Sequence, residues 1–139
     1  MKGAARAQAP FMVSLQIHDP ARSADDITRG LGVQPDVSWN VGAPRSRPDG
    51  TPMSGKHQAT YWGKTFEAGK HPLPSAVIAH WVRQLGPRHA FLRKLSERGA
   101  KISFYVTWSA GAFGGDEFAP DLLQEVAAVG AGVAIEVFA

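Results

Sequence analysis

The chain has 139 residues, 44% hydrophobic and 19% charged, with 15 basic and 12 acidic residues, a net charge of +3 and no cysteine. That length supports one ordinary hydrophobic core, the composition is globular, and the missing thiols exclude disulfide frameworks, thiolate zinc sites and cysteine nucleophiles. No apolar run nears the roughly 18 residues of a membrane span, and Lys2 and Arg6 have no apolar stretch behind them, so the expectation is a cytoplasmic protein without membrane contact.

Residues 1–10 read as a disordered tail and residues 11–139 as one domain. Phe11, Val13, Leu15 and Ile17 alternate with Met12, Ser14 and Gln16, the period of two that places one set of side chains on a core face. A short helix from about Ala24 to Leu31 follows, opened by Ser23 with Asp26 three residues on. Gly32 is placed to take the left-handed conformation at its end, and Pro35 forbids continuation.

Residues 36–72 are rich in glycine and proline, so regular structure there must be brief. The expectation is a short strand near Val37 to Val41, a firmer one near Ala59 to Phe66, and a loop with a mobile tip carrying Arg45, Arg47 and Asp49 between them. Pro74 and Ser75 open a helix whose Val77, Ile78, Trp81, Val82 and Leu85 recur at helical spacing, stopped by Gly86-Pro87. A second helix from about Arg88 to Arg98 buries Phe91, Leu92 and Leu95.

Ile102, Phe104, Val106 and Trp108 alternate with Ser103, Tyr105 and Thr107 in the clearest strand of the chain. A glycine-rich connection then leads to a helix from Pro120 with Leu122, Leu123, Val126 and Ala127 on its stripe, closed by Gly130. A last strand, from Gly132 to Phe138, carries Val133, Ile135 and Val137 on one face.

Strands that alternate this cleanly are buried on one side only, and the interspersed helices must cover that side. The predicted fold is α+β: a two-layer sandwich of a largely antiparallel sheet with helices on one face, built on a ferredoxin-like βαββαβ-type core plus a C-terminal αβ unit. The uncovered sheet face would carry Met12, Ser14, Gln16, Ser103, Tyr105, Thr107, Ala134, Glu136 and Phe138, with Tyr105 and Phe138 as its possible contact residues.

Charge is uneven along the chain. Arg83, Arg88, Arg93, Lys94, Arg98 and Lys101 stand against Glu97 alone, whereas Asp116, Glu117, Asp121, Glu125 and Glu136 face no later Lys or Arg. The two blocks either form opposite poles or lie side by side and cancel.

Motifs for chemistry are sparse. His18, His57, His71, His80 and His89 form no i, i+4 pair, so no metal site is expected, and no cofactor either. No GxSxG occurs, and Gly111, Gly114 and Gly115 match no phosphate-loop spacing. Asp25-Asp26 and Asp116-Glu117 lie at helix starts, where carboxylates act as caps.

What remains is a basic and aromatic constellation: Trp39, Arg45, Arg47, Lys56, His57, Tyr61, Trp62 and Lys64. Such a set can contact a ligand, holding phosphates while stacking on flat groups. Alternatively, Trp39 and Trp62 seal the edge of the core beneath basic side chains.

Several spaced features resemble a family of small, mainly bacterial domains of unknown function, number 4279. They are Asp25-Asp26-Ile27-Thr28, the run from Leu31 to Asp36, Trp39 and Gly42, Tyr61-Trp62, Leu122-Leu123, and the closing run from Ala134 to Phe138. The likeness spans roughly residues 11–138, and it implies a fold without implying any catalytic residue. Some families of this build are immunity proteins that neutralise a toxin by binding it, which is an analogy of fold. The expected function is therefore a non-catalytic binding domain, immunity-like by that analogy, with a protein partner or a second copy of itself. A nucleic-acid module and a small enzyme with an unmarked site are the alternatives.

Overall fold

A computed structural model describes residues 11–109 and 114–138. The tail expected at residues 1–10 and residues 110–113 of the glycine-rich connection lie outside the described residues.

β1 (Phe11–Asp19) is the central strand, and its alternation sends Phe11, Val13, Leu15 and Ile17 into the core. At its end Asp19 is buried, and its Oδ1 accepts the Ala21 and Arg22 amides at 2.8 and 2.7 Å, which turns the chain into α1 (Ala24–Leu31). The Ser23 side chain caps this helix by accepting from the Asp26 amide at 3.1 Å. Gly32, at φ 71°, closes it by donating to the Thr28 carbonyl at 2.8 Å.

β2 (Val37–Trp39) and β5 (Thr60–Phe66) then bracket an excursion that differs from the expected loop. β3 (Pro44–Ser46) and β4 (Pro52–Lys56) pair antiparallel as a separate hairpin. Its turn is closed by Gly50 donating to the Arg47 carbonyl and by Asp49 accepting from the Thr51 amide, at 2.8 and 2.9 Å. Both faces are exposed, so these short strands carry no polar and apolar alternation by which a sequence would reveal them.

α2 (Pro74–Gln84), a single 3-10 turn at Gly86–Arg88, α3 (His89–Glu97), β6 (Lys101–Ser109), α4 (Pro120–Ala128) and β7 (Ala131–Phe138) complete the order. The main sheet runs β2-β5-β1-β6-β7. β1 is antiparallel to β5 and β6, β2 is antiparallel to β5, and β7 joins parallel to β6. The order β2-β5-β1-β6 is the ferredoxin-like arrangement, and β7 is the added C-terminal unit.

All four α-helices lie over one face: α1 packs on β5, α2 on β1, α3 on β6 and α4 on β7. The core between the layers contains Leu15, Ile17, Ile27, Trp62, Ile78, Leu92, Leu95 and Phe104. Trp81 of α2 stacks on Phe66 of β5 with centroids 4.3 Å apart. α2 also neighbours α4, where Arg83 pairs with Glu125 at 3.2 Å, so at this point the basic and acidic blocks adjoin and neutralise each other.

The last strand departs from its expected burial. Val133 is half-buried, but Ile135 and Val137, on the same helix-side face, are 57% and 61% exposed. A nine-residue helix is about 13.5 Å long, whereas an eight-residue strand spans about 27 Å. α4 therefore cannot cover the whole of β7.

Candidate functional site

The face opposite the helices has no cover among the described residues. Strand register places Met12, Ser14, Gln16 and His18 of β1 on it, beside Tyr61, Gly63 and Thr65 of β5 and Lys101, Ser103, Tyr105 and Thr107 of β6. Trp39 and Val37 extend it on β2, and Ala134, Glu136 and Phe138 extend it on β7.

At the β2 end the aromatic rings form a row. Trp39 lies opposite Tyr61 in register. Its ring stacks on His57 at 4.5 Å and 15°, and contacts Tyr61 at 4.8 Å. Tyr61 in turn meets His18 at 5.1 Å.

Gly63 is what lets Tyr61 lie down on the sheet, since any side chain at that position would run into the phenol ring. Burial pushes the Tyr61 hydroxyl pKa above its ordinary value. Reduced hydration, and secondarily the Lys101 charge, lower the pKa of His18. His57 is held at the row's outer end by the hairpin base, where its amide donates to the Ala43 carbonyl at 3.0 Å and its carbonyl accepts from Gly42 at 2.9 Å. Trp39 remains 39% exposed.

Arg45, Arg47 and Lys56 project from the adjoining hairpin and are exposed, with Asp49 as the acidic residue among them. Backbone and side-chain hydrogen bonds from Thr51 lower the Asp49 pKa, so it stays anionic and anchors the turn. The row and the hairpin together present flat rings next to exposed cations, which suits a polar or anionic contact surface.

Two members of the sequence constellation lie elsewhere. Trp62 is 1% exposed on the helix side, where its indole Nε1 donates to Thr28 Oγ1 at 3.0 Å; it belongs to the core. Lys64 shares that side, reaching Asp36 at 3.5 Å, and Asp36 also accepts from the Thr65 amide at 2.7 Å. In a strand, adjacent residues face opposite ways, so Tyr61 cannot share a surface with both Trp62 and Lys64.

Tyr105 and Phe138 are on the open face but at its other end. Trp39 on β2 and Phe138 on β7 are four strands apart, about 19 Å, so the two groups are separate patches. Tyr105 sits beside Glu136, whose side-chain hydrogen bond raises the phenol pKa. His18 is the residue that pattern reading left out of the site, although continuing the Met12, Ser14, Gln16 alternation places it there.

For chemistry the described residues offer little. A cleft of about 390 Å³ lies between the β6–β7 end and the segment before α4, lined by Val106, Trp108, Phe118, Ile135 and Val137 with Asp116 at its rim. Asp116 is already engaged, accepting from the Ser75 amide and hydroxyl at 2.7 Å each. It thus caps α2, the helix across the cleft, and not the α4 it precedes in sequence. Among the described residues no three His, Asp or Glu side chains gather to hold a metal ion, and no helix is long and apolar enough to cross a membrane.

Neither the curated proteins nor the solved structures contain a significant match to this chain. One family model does match, over residues 9–138 and hence nearly every described element. The chain belongs to the family described as Domain of unknown function (DUF4279).

Proposed function

We propose that this chain is a non-catalytic, cytoplasmic binding domain that docks an acidic protein surface on the β2 end of its open sheet face. The observation that carries the proposal is the row of His57, Trp39, Tyr61 and His18 on a helix-free face. Trp39 would be the buried anchor of such a contact, and Arg45, Arg47 and Lys56 would meet carboxylates at its rim. Neutralising a toxin by occlusion, as immunity proteins do, is one form this function takes.

The test is affinity capture with mass spectrometry, comparing wild type with Trp39→Ala and Arg47→Glu. The reading expects both variants to keep their unfolding midpoints and lose the same acidic partner. Unchanged capture by both folded variants would overturn it.

The cations beside exposed rings favour a second reading, binding of single-stranded nucleic acid. That reading requires oligonucleotide affinity that falls steeply with salt. An absence of any salt-sensitive mobility shift would dismiss it.

A further inference from the structure

The two edges of the main sheet are built differently. β2 is three residues long and leads into the hairpin, so it offers little backbone to pair with. β7 is eight residues long, holds an unbroken register with β6, and contains no proline or lysine. Among the described residues nothing pairs with its far side. Edge strands normally carry lysine, proline or a bulge to prevent pairing with another chain.

Exposed apolar side chains accompany this open edge on both faces. Ile135 and Val137 stand on the helix side and Phe138, 51% exposed, on the open side. Leu123 of α4 is exposed as well. Glu125 points to Arg83 on α2, and Leu123, two residues earlier, projects about 200° around the helix from it. Leu123 therefore flanks the outer side, above β7.

We infer that β7 is the interface of a homodimer, in which two copies pair their β7 strands antiparallel across a two-fold axis to make one continuous ten-stranded sheet. This inference is independent of the Trp39 surface, which lies at the opposite edge.

The strand itself argues for a second copy as the occupant. Keeping both helix layers on one side, so that each Leu123 approaches the other copy, requires residues of like face to oppose each other. Centring the axis on Glu136 would set two carboxylates face to face. Centring it on Ile135 sets Ile135 against itself, Val137 against Val133, and Glu136 against Ala134.

That register also lays Phe138 over Gly132, whose position on the open face has no neighbour within 4 Å. An aromatic side chain across a strand glycine is a recognised way to cover an otherwise bare backbone. Within this chain Gly63 is likewise covered by an aromatic ring, there from Tyr61 two residues along the same strand.

The contact face, about 27 Å long and about 20 Å tall, is roughly 500 Å² per protomer. That places it at the lower end of specific interfaces. A reversible dimer forming at micromolar concentrations is the expected strength.

Cysteine cross-linking tests the register directly, because the chain has no cysteine of its own. Ile135→Cys should form an interchain disulfide rapidly under mild oxidation, since opposed residues lie within disulfide reach. Val137→Cys, equally exposed but about 13 Å from its own copy in this register, should not. Light scattering should show wild type rising from 14.9 kDa towards twice that mass with concentration. Ile135→Lys should stay monomeric at tenfold higher concentration with its unfolding midpoint retained. A wild type that stays monomeric into the hundreds of micromolar range, a dimer that survives Ile135→Lys, or equal cross-linking through Val137→Cys would each overturn the inference.

Discussion

The indole of Trp62 donates to the hydroxyl of Thr28 at 3.0 Å, tying the middle of β5 to α1 through a hydrogen bond at the floor of the core. The contact makes Trp62 a core residue, where its neighbour Tyr61 faces the open side of the sheet. Trp62→Ala is expected to lower the free energy of unfolding by about 3–5 kcal/mol, through the lost side chain and the cavity it leaves. Thr28→Val should cost about 1–3 kcal/mol by orphaning the buried N–H. In a Trp62→Phe background, which has no such donor, Thr28→Val should cost much less. Urea unfolding of the four proteins in that cycle measures the coupling.

Gly30, inside α1, has an unusual reason to be glycine. A Cβ there would run into the ring of Phe91 on α3, so the two helices approach through a gap that any side chain would fill. Gly→Ala in a helix interior ordinarily stabilises by about 1 kcal/mol. Here Gly30→Ala should destabilise, because overpacking costs about 1–3 kcal/mol. In a Phe91→Ala background the sign should reverse, which thermal unfolding of the pair would reveal.

Asp116 serves a helix it does not belong to. α2 begins at Pro74 after Leu73, which supplies no side-chain cap. The Asp116 carboxylate instead accepts from the Ser75 amide and hydroxyl. Asp116→Ala should cost about 1–2 kcal/mol, the scale of a lost N-cap. Asp116→Asn, which keeps an acceptor oxygen, should cost less. Hydrogen exchange should localise the loss to the first turn of α2 rather than that of α4.

His18 makes stability depend on pH. Its pKa in the fold lies below the ordinary value of 6.5, because of reduced hydration first and Lys101 second. Near that value the unfolded chain therefore binds more protons than the folded one, and stability rises with pH. The contribution is complete above 6.5 and is lost as pH falls towards the folded value. His18→Gln should flatten this slope, read as a smaller difference in urea midpoint between pH 7.5 and pH 5. An undiminished difference would assign the slope to other groups.

Much of the fold was legible in the residues. The alternation of Phe11 to Ile17 and of Ile102 to Trp108 reports one-sided burial directly. Ser23 with Asp26, Gly32 and Pro74 mark helix ends by local hydrogen bonding and backbone geometry. The hairpin at Arg45 and Arg47 was not legible, because strands exposed on both faces carry no periodic signal. The exposure of Ile135 and Val137 was hidden too: their pattern says which side of β7 they share, but not that α4 is too short to cover all of it.

The candidate site divides along the same line. Sequence placed Trp39, His57, Tyr61, Trp62 and Lys64 in one stretch, and the alternation of β5 sends Tyr61 one way and Trp62 and Lys64 the other. His18, far from that stretch in sequence, completes the row because β1 lies beside β5.

By itself, then, the sequence determined the helices and the half-buried strands, the layer that had to be buried and the family, since these depend on local periodicity, caps and short spaced features. Only the tertiary structure decided which aromatics share a surface, which helix Asp116 caps and which sheet edge stays open. Those depend on strand neighbours and helix lengths that meet across the chain, and no local pattern encodes such meetings.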